Sequence, residues 1–213
     1  AYTIVISSAD ATATESDLNM LNPKTTVNID ASAITELSGT YAEVTTLYGS
    51  AGVDNLGDEA ISISDALRVT QANGIDSFTT GVVTASIATT ETVDSLVNLA
   101  GTNAYTIEIS TEDAAVSADD LSKINALTTI AVDLTNVTSI TSSSFDDLET
   151  LATAIGNSEF SNTTGFTTIT VSDAAVDATV LAATIDTYDS INGSGTTLIE
   201  LSGGATILSL IHI

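Results

Sequence analysis

Cysteine and tryptophan are absent, proline (Pro23) and methionine (Met20) occur once each, and 213 residues carry only three bases, Lys24, Arg68 and Lys123. Each shortage excludes something. Without cysteine there is no disulfide, no thiolate nucleophile and no thiolate metal site. A single histidine, His212, leaves little room for imidazole acid–base chemistry. Three bases cannot displace the counterions of a nucleic acid, and they offer an anionic membrane surface nothing to attract. No apolar run approaches the length of a membrane span, so no segment is expected to insert. With aromatics at 4%, the core falls to Val, Ile, Leu and Ala, which suit narrow, layered interiors.

What is present is acid and hydroxyl. There are 28 Asp+Glu, for a formal net charge of −25. Ser and Thr supply roughly three residues in ten, above the usual share. Yet 43% of residues are apolar and mean hydropathy is +0.33, so the chain is not a disordered acidic tail. The sequence opens on Ala1, which suits either a removed leader or a fragment of a longer chain.

Self-similarity organises the rest. Three segments align without gaps from an aspartate: Asp10 to Leu18, Asp113 to Leu121 and Asp173 to Leu181. Each follows a β-branched alternating run, such as Thr106-Ile107-Glu108-Ile109-Ser110, and a degenerate fourth copy ends at Asp65-Ala66. A second type of unit matches Ile29–Ser38 with Val132–Thr141, from Asp30 and Asp133 onward. Alternation of Ile, Val and Thr predicts strands. Thr14-x-x-Asp17, Thr40-x-x-Glu43, Ser117-x-x-Asp120 and Ser143-x-x-Asp146 have capping-box spacing and predict helix starts. Apolar pairs at helical spacing follow, as in Leu121 with Ile124 and Leu148 with Leu151.

These units predict an α/β repeat: a solenoid of about eight strand–turn–short-helix coils with a parallel sheet along one side. A right-handed parallel β-helix is the alternative. One domain is expected over 1–213, with A coils near 3–26, 60–81, 105–128 and 167–195. B coils are expected near 27–59, 82–104, 129–166 and 196–213.

The phrases Gly52-Val53-Asp54-Asn55-Leu56-Gly57-Asp58-Glu59-Ala60-Ile61 and Ile34-Thr35-Glu36-Leu37-Ser38-Gly39-Thr40-Tyr41 support a resemblance. They look like units of Ser/Thr/Ala/Asp-rich tandem-repeat surface proteins of marine cyanobacteria and related bacteria, and of fibre proteins of their phages. The resemblance implies a structural or adhesive role at the cell or virion surface, and it carries over no catalytic residue.

Two sets of acids are candidate metal ligands, and calcium is the one cofactor their oxygen chemistry suggests. The loop residues Asp54, Asn55, Asp58 and Glu59 surround a turn glycine, but they lack the EF-hand order. Asp10, Asp65, Asp113 and Asp173, with Asp30 and Asp133 in the second unit, could instead form a ladder bridged by cations. The competing reading is that these aspartates accept backbone N–H bonds in turns. Catalysis is not expected: Arg68 is the one arginine, His212 lies in the apolar run Ala205–Ile213, and no phosphate loop or nucleophile elbow occurs. That run reads as a covering strand or as a surface that pairs with another subunit. The expectation is a non-catalytic, extracellular structural protein whose partners are its own copies or other surface or virion proteins. A calcium-dependent adhesin or glycan-binding module is the alternative.

Overall fold

Where capping residues precede apolar residues at helical spacing the chain turns into short helices, and the β-branched runs between them pair in parallel. A computed structural model describes residues 2–172, 175–176, 198–201 and 206–207. The first stretch contains β1 (Thr12–Thr14), α1 (Glu15–Leu21), β2 (Ile29–Asp30), β3 (Glu36–Gly39), α2 (Tyr41–Tyr48) and β4 (Val53–Asp54). It continues with β5 (Ala60–Leu67), α3 (Val69–Asp76), β6 (Val83–Ile87), α4 (Val93–Leu96) and β7 (Ala104–Thr106). Next come β8 (Ala115–Val116), α5 (Ala118–Asn125), β9 (Val132–Asp133), β10 (Ser139–Ser143) and α6 (Phe145–Gly156). The last described elements are β11 (Phe160–Ser161), β12 (Thr168–Val171), β13 (Ala175–Val176), β14 (Leu198–Leu201) and β15 (Thr206–Ile207).

The chain divides into two compact units, Ala1–Ala88 with Asn98–Thr106, and Thr89–Val97 with Ile107–Ile213. In the first, a parallel sheet runs in the order β1-β3-β5-β6-β7. Its register aligns Ala13, Leu37, Ile61 and Val83 in one row. Leu37, Ile61 and Val83 in that row are fully buried, against Leu18, Val44, Leu47 and Ile75 from the helices. In the second unit the order is β14-β12-β10-β8, with Val116, Ile140 and Ile169 in register and buried. Leu121, Ile124, Leu148 and Leu151 cover that unit's core from α5 and α6.

The expected solenoid of about eight coils, with one parallel sheet along its side, is not what forms. Among the described residues the strands fall into five separate parallel sheets: one of five strands, one of four and three of two. The β-helix alternative falls too, because six α-helices lie between the strands among the described residues. The cause is local. Asp30 and Asp133 turn the chain immediately after two-residue strands, and the pairing slips register between Ser62 and Ala66 and between Ile140 and Ser143. Short runs of Ile and Val interrupted by polar turns pair with neighbours but do not fuse into one sheet.

The helix starts follow the capping spacing closely. Thr14, Thr40 and Ser117 accept from the backbone N–H of Asp17, Glu43 and Asp120 at 3.1, 3.3 and 3.1 Å. At the fourth start the cap is Ser144, not Ser143, and Asp147 closes it. Ser143 is engaged elsewhere: its hydroxyl accepts the N–H of Ala118 at the start of α5, 2.8 Å away.

Candidate functional site

The loop expected to hold calcium does not gather its four oxygen-bearing side chains. Asn55 adopts a left-handed backbone (φ 64) and turns its amide back to donate to Asp30 Oδ1 at 2.9 Å. Asp54 is exposed and accepts from the Asn28 amide at 3.0 Å, and Asp58 is exposed. Glu59 turns inward, 1% exposed, where Oε2 accepts the N–H groups of Gly57 and Asp58 at 2.8 and 3.2 Å.

The aspartates of the second set divide into two jobs. Asp30 and Asp133 each stop a two-residue strand by accepting the N–H two residues on, from Ser32 and Thr135. Each also accepts from a left-handed asparagine far along the chain, Asn55 (φ 64) or Asn162 (φ 56). The Asn55 amide, then the Ser32 N–H, hold Asp30 below the usual carboxylate range. Partial burial pushes Asp133 up, but bonds from Asn162 and Thr135 outweigh it and leave it lowered. Donors within the chain thus supply what a bridging cation would.

Asp65 and Asp113 instead serve helices other than their own. Asp65 Oδ2 accepts the N–H of Tyr41 at 2.9 Å, and Asp113 Oδ2 that of Val93 at 2.8 Å, at the first residues of α2 and α4. A carboxylate there satisfies an N–H that the helix cannot, and complements its dipole. Asp10 lies exposed in a 3-10 turn, Ser8–Asp10, and Asp173 lies outside the described residues, as does His212. Among the described residues no group of three or more His, Cys, Asp or Glu is placed to hold a metal. Arg68 is exposed at the start of α3, where its backbone N–H donates to Gln71 Oε1 at 2.9 Å. Among the described residues the ion pairs are those of Lys123 with Asp119 and Asp120.

The residue that sequence reasoning missed is Glu15. It opens α1, where an acid reads as dipole complement, yet it is fully buried at 0% exposure. Neither of its carboxyl oxygens has a hydrogen-bond partner. An ideal Cβ built on Gly39, at the end of β3, would fall on Glu15 Oε2 and lie 3.0 Å from Glu43 Oε2. Two carboxyl groups therefore converge over one bare strand glycine, the one sequence signal that a close approach occurs there. Burial pushes Glu15 up to about 7, opposed by its own backbone N–H, which lies outside hydrogen-bond geometry, and helped by the Glu43 charge. The Thr40 N–H, then its hydroxyl, hold Glu43 below its usual range. Alongside lies a groove of about 460 Å³ lined by Thr14, Ser16, Ser38, Glu43, Ser62 and Ser64, so its polar groups are mostly hydroxyls.

A second feature of the same unit is apolar. Tyr2, Val5, Met20, Leu21 and Val27 are exposed, and all belong to the first 27 residues. They precede or follow β1, the end strand of the five-stranded sheet, and Val5 bridges to Asp30 of β2. Ala11 C=O accepts from Glu36 N–H, so by alternation the N–H and C=O of Thr12 face away from β3. No helix among the described residues is long and apolar enough to cross a membrane. Comparison of the chain with protein-family models, with curated proteins and with solved structures finds no match.

Proposed function

We propose that the chain is a non-catalytic structural protein that self-associates, as part of an extracellular surface layer, filament or phage fibre. The observation that carries this reading is the N-terminal end of the first unit, where the first 27 residues expose Tyr2, Val5, Met20 and Leu21 and also contain β1, an end strand of its sheet. The outward N–H and C=O of Thr12, with exposed apolar side chains in the same stretch, offer a place for strand addition. The occupant is a second copy of the chain. The exposed charges here are Asp10 and Asp17 against Lys24, so two acidic molecules meet at this end with less repulsion than elsewhere. Among the described residues β14 is an end strand of a parallel sheet as well, and joining β1 of one copy to that edge of the next gives a head-to-tail array, a ring or a filament according to the rotation between copies. The remaining acids keep such an array soluble, and the hydroxyl-rich surface holds water.

The test is the doubly substituted chain Val5→Asp, Met20→Glu. Both positions are well exposed (62% and 59%), so folding is unaffected, while the end face gains charge and loses its apolar contacts. Sedimentation velocity is expected to show concentration-dependent association of the wild type and a monomer for the variant. A wild type that stays monomeric at submillimolar concentration, or a variant that associates equally, overturns the reading.

A further inference from the structure

We infer that Glu15 and Glu43, converging over Gly39, form a binding site for a divalent cation of calcium's size. Glu15 is enclosed with both carboxyl oxygens unpartnered. Ionised, it is a buried charge without a counter-ion, which proteins avoid at a cost of several kcal/mol. Protonated, it meets the Glu43 carboxylate, whose Oε2 already accepts the N–H and hydroxyl of Thr40. With both carboxyl groups ionised, the pocket is short of one positive group. No base supplies it: Lys123 pairs with Asp119 and Asp120, and Lys24 and Arg68 are exposed.

The donors present select the kind of cation. All are oxygens: the Glu15 carboxylate, Glu43 Oε2 over the same glycine, and the hydroxyls of Ser16, Ser38 and Ser64 along the adjoining groove. Hard cations take such ligands, and calcium tolerates an irregular, mixed shell where magnesium requires a near-ideal octahedron. Gly39 makes the arrangement possible, since any side chain there would occupy the space in front of Glu15. Glu43 is held in place by its capping bonds to Thr40 N–H and hydroxyl at 2.8 and 2.9 Å, so one ligand is oriented before a cation arrives. This site is distinct from the acidic loop at Asp54–Glu59, where Asp54 and Asn55 are tied to Asn28 and Asp30 and Glu59 Oε2 accepts backbone N–H groups.

The full chain is titrated with CaCl2, MgCl2 and, at matched ionic strength, NaCl, and followed by thermal unfolding and isothermal titration calorimetry. Saturable calcium binding is expected, with a melting temperature raised by about 5–10 °C at a hundredfold excess over the dissociation constant. Magnesium should bind at least tenfold more weakly, and sodium should give no saturable response. Glu15→Gln keeps the shape, removes the charge, and is expected to abolish the calcium response while folding normally. Glu43→Gln retains the cap and should weaken calcium binding at least tenfold. Asp58→Asn, on the exposed loop, should leave the response unchanged. The inference is overturned if the wild type shows no saturable response, if sodium matches calcium, or if Glu15→Gln responds like the wild type.

Discussion

Replacing Asn103 by alanine is expected to destabilise the first unit by about 4 kcal/mol, more than most single substitutions achieve. Asn103 is almost fully buried and takes the register position facing Val83, one before the Thr84–Ala104 pair. Its Oδ1 accepts the Val83 N–H at 2.8 Å, where the sheet would otherwise leave that donor unmatched. Its Nδ2 serves Asp76 Oδ1 at 2.7 Å and the Tyr105 hydroxyl at 3.2 Å. Asp76 ends α3, where the helix dipole disfavours a carboxylate, so this donor offsets an unfavourable charge. Gly101 (φ +69) lets the cluster close, because a Cβ there would lie 2.6 Å from Asp76 Oδ1 and 2.9 Å from Asn103 Nδ2. Stranding the Val83 N–H costs roughly 1–3 kcal/mol, losing the bond to the Asp76 charge roughly 1.5–3, and the Tyr105 contact about 1. The three bonds form one network and do not add fully, which gives the total of about 4 kcal/mol. Urea unfolding followed by circular dichroism should show the midpoint falling by about 2 M with an unchanged slope. Asn157→Ala, which removes one exposed bond to Glu159, should stay within about 0.5 kcal/mol. A cost below about 1 kcal/mol for Asn103→Ala would refute the reasoning.

The remaining predictions concern pH and caps. Burial, then the Asp76 charge, push the Tyr105 hydroxyl up to about 12, against the bond from Asn103. The folded state resists deprotonation, so this stability is intact below pH ~10 and is lost as pH rises from there through 12, by on the order of 2 kcal/mol. Tyr105→Phe should flatten that part of the alkaline unfolding curve, and coincident curves would contradict the assignment. Asp65→Ala and Asp113→Ala should each cost about 1 kcal/mol through the exposed N–H of α2 and α4, and Asn at either position should recover most of it. If the Asn variants lost stability only in the presence of calcium, these aspartates would be ligands instead of caps.

Local chemistry was readable from the residues, and tertiary pairing was not. Thr14, Thr40 and Ser117 cap where the spacing puts them, because a cap and its acid are three residues apart and depend on little else. The slip at Ser143 shows the limit: Ser143 and Ser144 both fit, with Asp146 and Asp147 three residues on, and only a neighbouring helix decides that Ser144 closes its own helix while Ser143 serves Ala118. The aspartates that recur in sequence seemed to share a role. Their partners lie 20 or more residues away, so Asp65 and Asp113 cap other helices while Asp30 and Asp133 meet left-handed asparagines. The single sheet expected from the repeats was overturned for the same reason, since whether short strands join depends on register across many residues. Glu15 was invisible because burial at the first turn of α1 comes from β3, through Gly39.

Self-association through the open β1 end is the central claim, and electron microscopy of the purified full chain tests it most directly. Samples spanning micromolar to submillimolar concentration, in salt high enough to screen the acidic surface to a Debye length of about 5 Å or less, are compared with the Val5→Asp, Met20→Glu variant. The account predicts head-to-tail particles or filaments of the wild type that lengthen with concentration and are absent from the variant. Discrete single molecules of the wild type at every concentration would contradict it.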